Sequence, residues 1–110
     1  REFLNSDDLG EACVFALEQW NPREDEISYL NVGTGKDLII RDLAKIIANA
    51  IGFTGEIVWD SEKPDGTPKK QLDVSRLQCL GWHAKIQLSE GLASTVAEFQ
   101  EQFDKNQLRL

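Results

Sequence analysis

No methionine stands anywhere in the 110 residues, and the chain opens on Arg1. A complete, unprocessed translation product would begin with methionine, so the expectation is a truncated or processed piece of something longer. Histidine occurs once and cysteine twice. Cys13 and Cys79 lie far apart without a CxxC partner, which indicates neither a disulfide framework nor a zinc site. A reducing cytoplasm fits that usage. Long apolar runs are missing too. Nothing approaches the roughly 20 residues that cross a bilayer, so no membrane association is expected. The opening Arg1-Glu2-Phe3-Leu4 carries acid where a secretion signal would carry a basic stretch. Positive charge is in deficit: 12 Lys and Arg against 19 Asp and Glu leave a net charge of −7. Such a chain repels a phosphate backbone, which argues against nucleic-acid binding.

What is present reads as one soluble α/β unit. Hydrophobic content is 41% and charged content 28%, ordinary for a globular domain. Arg1 to Leu4 reads as a short strand end. Ser6, Asp7 or Asp8 is the expected N-cap of a first helix, whose stripe is Leu9, Ala12, Cys13, Ala16, Leu17 and Trp20. Gly10 inside it costs helix propensity, which suggests close packing there. Ile27 to Val32 is a strand, ended by Gly33-Thr34-Gly35. A second helix carries Leu43, Ile46, Ile47, Ala50 and Ile51, with Gly52 as its stop. Glu56 to Asp60 is another extended segment. Asp73 or Ser75 caps a short helix through Leu80, closed by Gly81. Ser89 caps a last helix with the stripe Leu92, Val96, Phe99 and Phe103. The tail after Asp104 is polar and expected to fray. These strands are too few for a sheet of their own, and short strands with open edges need partners.

The glycine turn at Asn31 to Lys36 suggests a phosphate loop and fails the test. A Walker loop needs glycine where Leu30 stands and Ser or Thr where Asp37 stands; a GxGxxG fingerprint needs glycine where Leu38 stands. A tight turn requiring positive φ is the better reading. His83 has no ligand or nucleophile beside it and is assigned no catalysis. Cys13 and Cys79 have apolar neighbours and are expected to be buried. The segment Lys63-Pro64-Asp65-Gly66-Thr67-Pro68-Lys69-Lys70 carries more information. Two prolines stiffen it, and three lysines gather in an otherwise acidic chain. An ammonium can meet a pyrophosphate oxygen, and Asp65 can accept from sugar or ribose hydroxyls. On the residues alone, ligand binding and a solvated surface loop both stand.

Several motifs then fall into one family's order. Arg1-Glu2-Phe3-Leu4 with Asp7-Asp8 resembles the "REFLHVDDLA" segment of extended short-chain dehydrogenase/reductases, and Asn31 to Gly35 resembles their "NVGTG". Trp59-Asp60 through Asp73-Val74-Ser75-Arg76-Leu77, with the proline loop inside it and Leu80-Gly81-Trp82 after it, resembles the GDP-L-fucose synthase family in particular. The resemblance runs from residue 1 to about 103, leaving 104–110 as a tail. It implies the C-terminal substrate-binding region of an enzyme that epimerises C3 and C5 of GDP-4-keto-6-deoxy-mannose and reduces its C4 ketone to give GDP-L-fucose. It further implies that NADP(H) and the Ser-Tyr-Lys catalytic group belong to an N-terminal Rossmann domain missing here, and that the whole protein is a cytoplasmic homodimer. Tyr29, the single tyrosine, is followed four residues later by Gly33 rather than lysine, so no catalytic residue is assigned and the fragment alone is expected to be inactive. By the resemblance, Arg1 meets the nucleotide diphosphate, and Asp65 and Lys70 are the substrate-contacting acid and base of the proline loop. The family's His-Val before Asp-Asp is Asn5-Ser6 here, a change placed under the first helix. Another sugar-nucleotide epimerase or dehydratase, or a binding module without chemistry, are the alternatives.

Overall fold

The computed structural model describes residues 1–24 and 26–105, and in these it holds four helices. They are α1 (Ser6–Gln19), α2 (Ile40–Ile51), α3 (Ser75–Cys79) and α4 (Leu88–Asp104). Among the described residues none is long and apolar enough to cross a membrane. The expectation for the tail lies, beyond Lys105, outside the described residues.

The α/β expectation is corrected in its strands: among the described residues there are none. Ile27 to Val32 and Glu56 to Asp60 are irregular, and 56–60 is exposed throughout. A ladder takes two backbones, and neither segment meets a second one here. Extended pairing survives at one place. The Arg1 nitrogen donates to the Leu38 carbonyl at 2.6 Å, and the Leu38 N–H donates back to the Arg1 carbonyl at 2.7 Å. That mutual exchange is the antiparallel pairing pattern.

Helix α1 already includes Ser6, one of the expected cap residues. Its N-cap is Asn5, not Ser6, Asp7 or Asp8, and the Asn5 side chain accepts from the Asp7 N–H at 2.8 Å. The same side chain packs against α4, where a methyl on Gly91 would stand 2.9 Å from its nitrogen. The Asn5 departure therefore has a structural use. The face of α1 that packs inward is Asp8, Ala12 and Phe15, whereas Leu9, Cys13 and Leu17 lie open, with Leu17 86% exposed. The helix thus has two apolar sides and only one is covered. Gly10 is exposed with open space around it, so the expected close packing is absent. Both cysteines are exposed rather than buried, because they stand on uncovered faces.

The core is small. Ala12, Leu77 and Trp82 form it, with Leu4, Phe15, Leu30, Val32 and Ala84 packed around. Asp8 is buried in full; its carboxylate accepts from the N–H groups of Lys85 and Ile86 at 3.0–3.2 Å, which ties α1 to the strand-like run before α4. α3 ends at Gly81, whose φ of 104° lets the Trp82 N–H fold back onto the Leu77 carbonyl at 3.2 Å. That turn delivers Trp82 to the core. α2 packs on α4 and ends, as expected, at Gly52 in the left-handed region with φ 68°. α4 begins without the expected Ser89 cap; Gln87 is its N-cap residue and contributes no side-chain bond.

Candidate functional site

The chain brings its opening residues onto the proline loop. Arg1 and Thr67 are 66 positions apart, yet the Arg1 guanidinium donates to the Thr67 carbonyl at 2.5 Å. The guanidinium lies over Gly66, where a methyl would stand 2.8 Å from Nη2. Asp65 is the next residue of the loop. Its side chain and that of Lys70 are exposed. Among the described residues neither makes a hydrogen bond or ion pair, so both present free charge to solvent. The three expected site residues thus belong to one region, with Arg1 docked on the loop and the other two extended from it.

The stem that leaves the loop is bonded to the glycine turn. Gln71 donates through its amide to the Gly35 carbonyl, and the Asn31 amide donates to the Asp73 carbonyl at 3.0 Å. Arg76 lies over the Tyr29 ring, 5.1 Å from its centroid, a cation–π contact that joins the same two segments. Asp73 accepts from the Ser75 N–H at 3.0 Å, and these Ser75 contacts, backbone first and hydroxyl second, hold its carboxyl below the usual aspartate value.

Glu2 is the residue the sequence reading passed over. One carboxylate oxygen accepts from the Gly35 N–H at 2.8 Å and from the Thr34 hydroxyl at 3.4 Å; the other accepts from the Leu72 N–H at 2.8 Å. Burial alone would raise its pKa. The bonds from Leu72, Gly35 and Thr34 outweigh that and leave it below the usual glutamate value. The signal was its place in Arg1-Glu2-Phe3-Leu4, but spacing alone does not say which backbone a carboxylate will meet. The turn divides its glycines by role. Gly35 takes the positive φ, 69°, whereas Gly33 makes room for Glu2: a methyl there would stand 2.1 Å from the Glu2 oxygen. The turn does cradle an anion, but the anion is internal.

A separate apolar cavity of about 550 Å³ opens between α2, α4 and the Phe3–Asn5 segment, with Phe3, Leu43, Ile47, Ile86 and Leu92 among its walls. Arg1, Asp65 and Lys70 are not among its lining residues.

The chain is 47% identical to the putative GDP-L-fucose synthase 2 of Arabidopsis thaliana, over 86% of its own length and 28% of that protein. It is 46% identical to the GDP-L-fucose synthase of Escherichia coli K12, over 96% of its length and 34% of that one. The matched part is their C-terminal region. The chain is similar to the C-terminal region of GDP-L-fucose synthases. Among solved structures, a GDP-mannoheptose C4 reductase from Campylobacter jejuni with NADP bound superposes with a TM-score of 0.78 at 32% identity, over 91% of this chain and 31% of that one. A GDP-6-OMe-4-keto-L-xylo-heptose reductase from C. jejuni superposes with a TM-score of 0.84 at 32% identity, over 93% of this chain and 31% of that one. No family model matches the chain. The GDP-L-fucose synthase likeness therefore spans nearly the whole chain but only about a third of each relative's length.

Proposed function

We propose that residues 1–103 are the C-terminal substrate-binding region of a GDP-L-fucose synthase, with 104–110 as its tail. The longer protein would convert GDP-4-keto-6-deoxy-D-mannose to GDP-L-fucose by 3,5-epimerisation and NADPH-dependent 4-reduction. The observation that carries the reading is the docking of Arg1 on the proline loop, which brings a guanidinium from the start of the chain to the loop that carries Asp65 and Lys70. A guanidinium suits a diphosphate, and it keeps N–H donors to spare after one is given to Thr67. Lys70 adds a point charge, and Asp65 is an acceptor for a sugar or ribose hydroxyl.

The residues present do not fit NADP(H). The Gly35 N–H on the glycine turn is already taken by the Glu2 carboxylate. The dinucleotide would belong to an N-terminal Rossmann domain, which is also the proposed partner of this region, and the chain alone would reduce nothing. A homodimer is the proposed assembly of the longer protein. The cytoplasm is its proposed compartment, in keeping with two free, exposed cysteines. A second reading, reductase action on another GDP-linked sugar, is favoured by the likeness to the mannoheptose reductase.

The test uses the longer protein. Arg1→Ala or Lys70→Ala removes a charge-assisted hydrogen bond worth roughly 1.5–3 kcal/mol, or about 10- to 150-fold in affinity. The loss should appear mainly in KM for the GDP-sugar. Lys36→Ala, on the glycine turn, is the control and should change little. Equal damage from Lys36→Ala and Lys70→Ala would overturn the site. Turnover of a GDP-heptose in preference to the keto-deoxy-mannose substrate would favour the second reading.

A further inference from the structure

Arg1 and Glu2 are consecutive, oppositely charged, and grip the same short stretch of chain. Arg1 takes the carbonyl of Thr67, and Glu2 takes the N–H of Leu72. A cation holds a backbone acceptor at one end, and an anion holds a backbone donor at the other. Between the two grips stand Lys69 and Lys70, both exposed. Successive side chains of an extended segment leave on opposite faces, so adjacent residues can reach separated points.

Glu2 is itself held on its far side. Its other oxygen is bonded to the Gly35 N–H and Thr34 hydroxyl, and the absent side chain at Gly33 admits it. The carboxylate therefore bridges a fixed turn to the stem. The bond to Leu72 lies at an exposed backbone, outside the Ala12–Leu77–Trp82 core. Its removal leaves the core contacts in place, and with them the Gln71 and Asn31 bonds, but loosens the loop end of the stem next to Lys70. Two neighbouring ammonium groups repel each other and the Arg1 cation, so without a restraint they spread. An anionic ligand needs them at fixed spacing, and small misplacement of a binding group is costly.

We propose that Glu2 is a positioning residue: with Arg1 it clamps the two ends of the segment 67–72 and sets where the Lys70 ammonium stands relative to the Arg1 guanidinium, so that both meet one diphosphate. The inference rests on the reading of this region as a GDP-sugar site.

A double-mutant cycle in the longer protein tests it, with Glu2→Gln and Lys70→Ala. Glu2→Gln should raise KM for the GDP-sugar roughly tenfold, the size of one lost charged hydrogen bond, while kcat and KM for NADPH hold. In the Lys70→Ala background the same substitution should raise it less than about twofold, because the group it positions is gone. Thr34→Val, which removes the hydroxyl contact to Glu2 together with its local bonds to the Lys36 backbone, should follow the same pattern more weakly and serves if Glu2→Gln fails to fold. An equal rise in both backgrounds, or no rise with Lys70 present, overturns the positioning role. If Lys70→Ala alone leaves KM unchanged, the site reading itself falls and the role falls with it.

Discussion

The guanidinium of Arg1 rests on Gly66 because nothing projects from that residue. Gly66→Ala would put a methyl 2.8 Å from Nη2. The side chain it meets is long and flexible and can swing away, so thermal stability should change little. The guanidinium would leave its seat, and KM for the GDP-sugar should rise several-fold in steady-state assays of the longer protein. A large fall in Tm with unchanged KM would refute this. Asp8 gives the opposite signature. Asp8→Ala leaves the partly buried N–H groups of Lys85 and Ile86 without an acceptor and should cost about 1.5–3 kcal/mol in denaturant unfolding. Glu2 makes stability depend on pH. Its folded pKa lies below the ordinary value of 4.5, so its contribution is complete above that value and is lost as pH falls through the folded pKa. Between about pH 5 and pH 3, Glu2→Gln should therefore lose less stability than the unaltered protein, as read from urea midpoints at each pH.

At the scale of elements, legibility followed whether the cause was local. The end of α2 was readable because Gly52 supplies the left-handed residue by itself. Gly52→Ala has open space for its methyl, so the cost is backbone strain alone, about 1 kcal/mol. Hydrogen exchange across the last turn of α2 would register it. The start of α4 was not readable: Ser89 has the right oxygen, but the chain turns into the helix two residues earlier, at Gln87. The apolar spacing of α1 was plain, yet it does not say which of two apolar sides meets the core. The strands were misread for a related reason. β-Branched and aromatic residues between turn formers report a readiness to pair, and the partner is a property of another segment. In the site, the proline loop and Arg1 were readable as residue types; that Arg1 reaches Thr67, and that Glu2 fills the glycine turn, depends on chain paths that no local spacing encodes.

On the whole-molecule scale the chain exposes 9023 Å², against about 6100 Å² for a compact monomer of its mass. Ile57, Val58 and Trp59 are among the apolar residues left open. A small core under that much surface gives marginal stability. In the isolated chain, amides of Ile27 to Val32 and Glu56 to Asp60 should exchange rapidly, with strong protection of both the contrary result. The bonds that build the site also differ in reach from those that build the helices. Glu2 meets Leu72 across 70 positions, whereas a helical bond spans four. Closing the longer loop costs about 2–3 kcal/mol more entropy. The two structures should therefore arise at different times. After dilution from denaturant, helical ellipticity of the longer protein should recover first and nucleotide affinity later. On a ribosome the order is stricter still: Glu2 can meet Gly35 early, but its second oxygen waits until Leu72 has been synthesised and has left the exit tunnel.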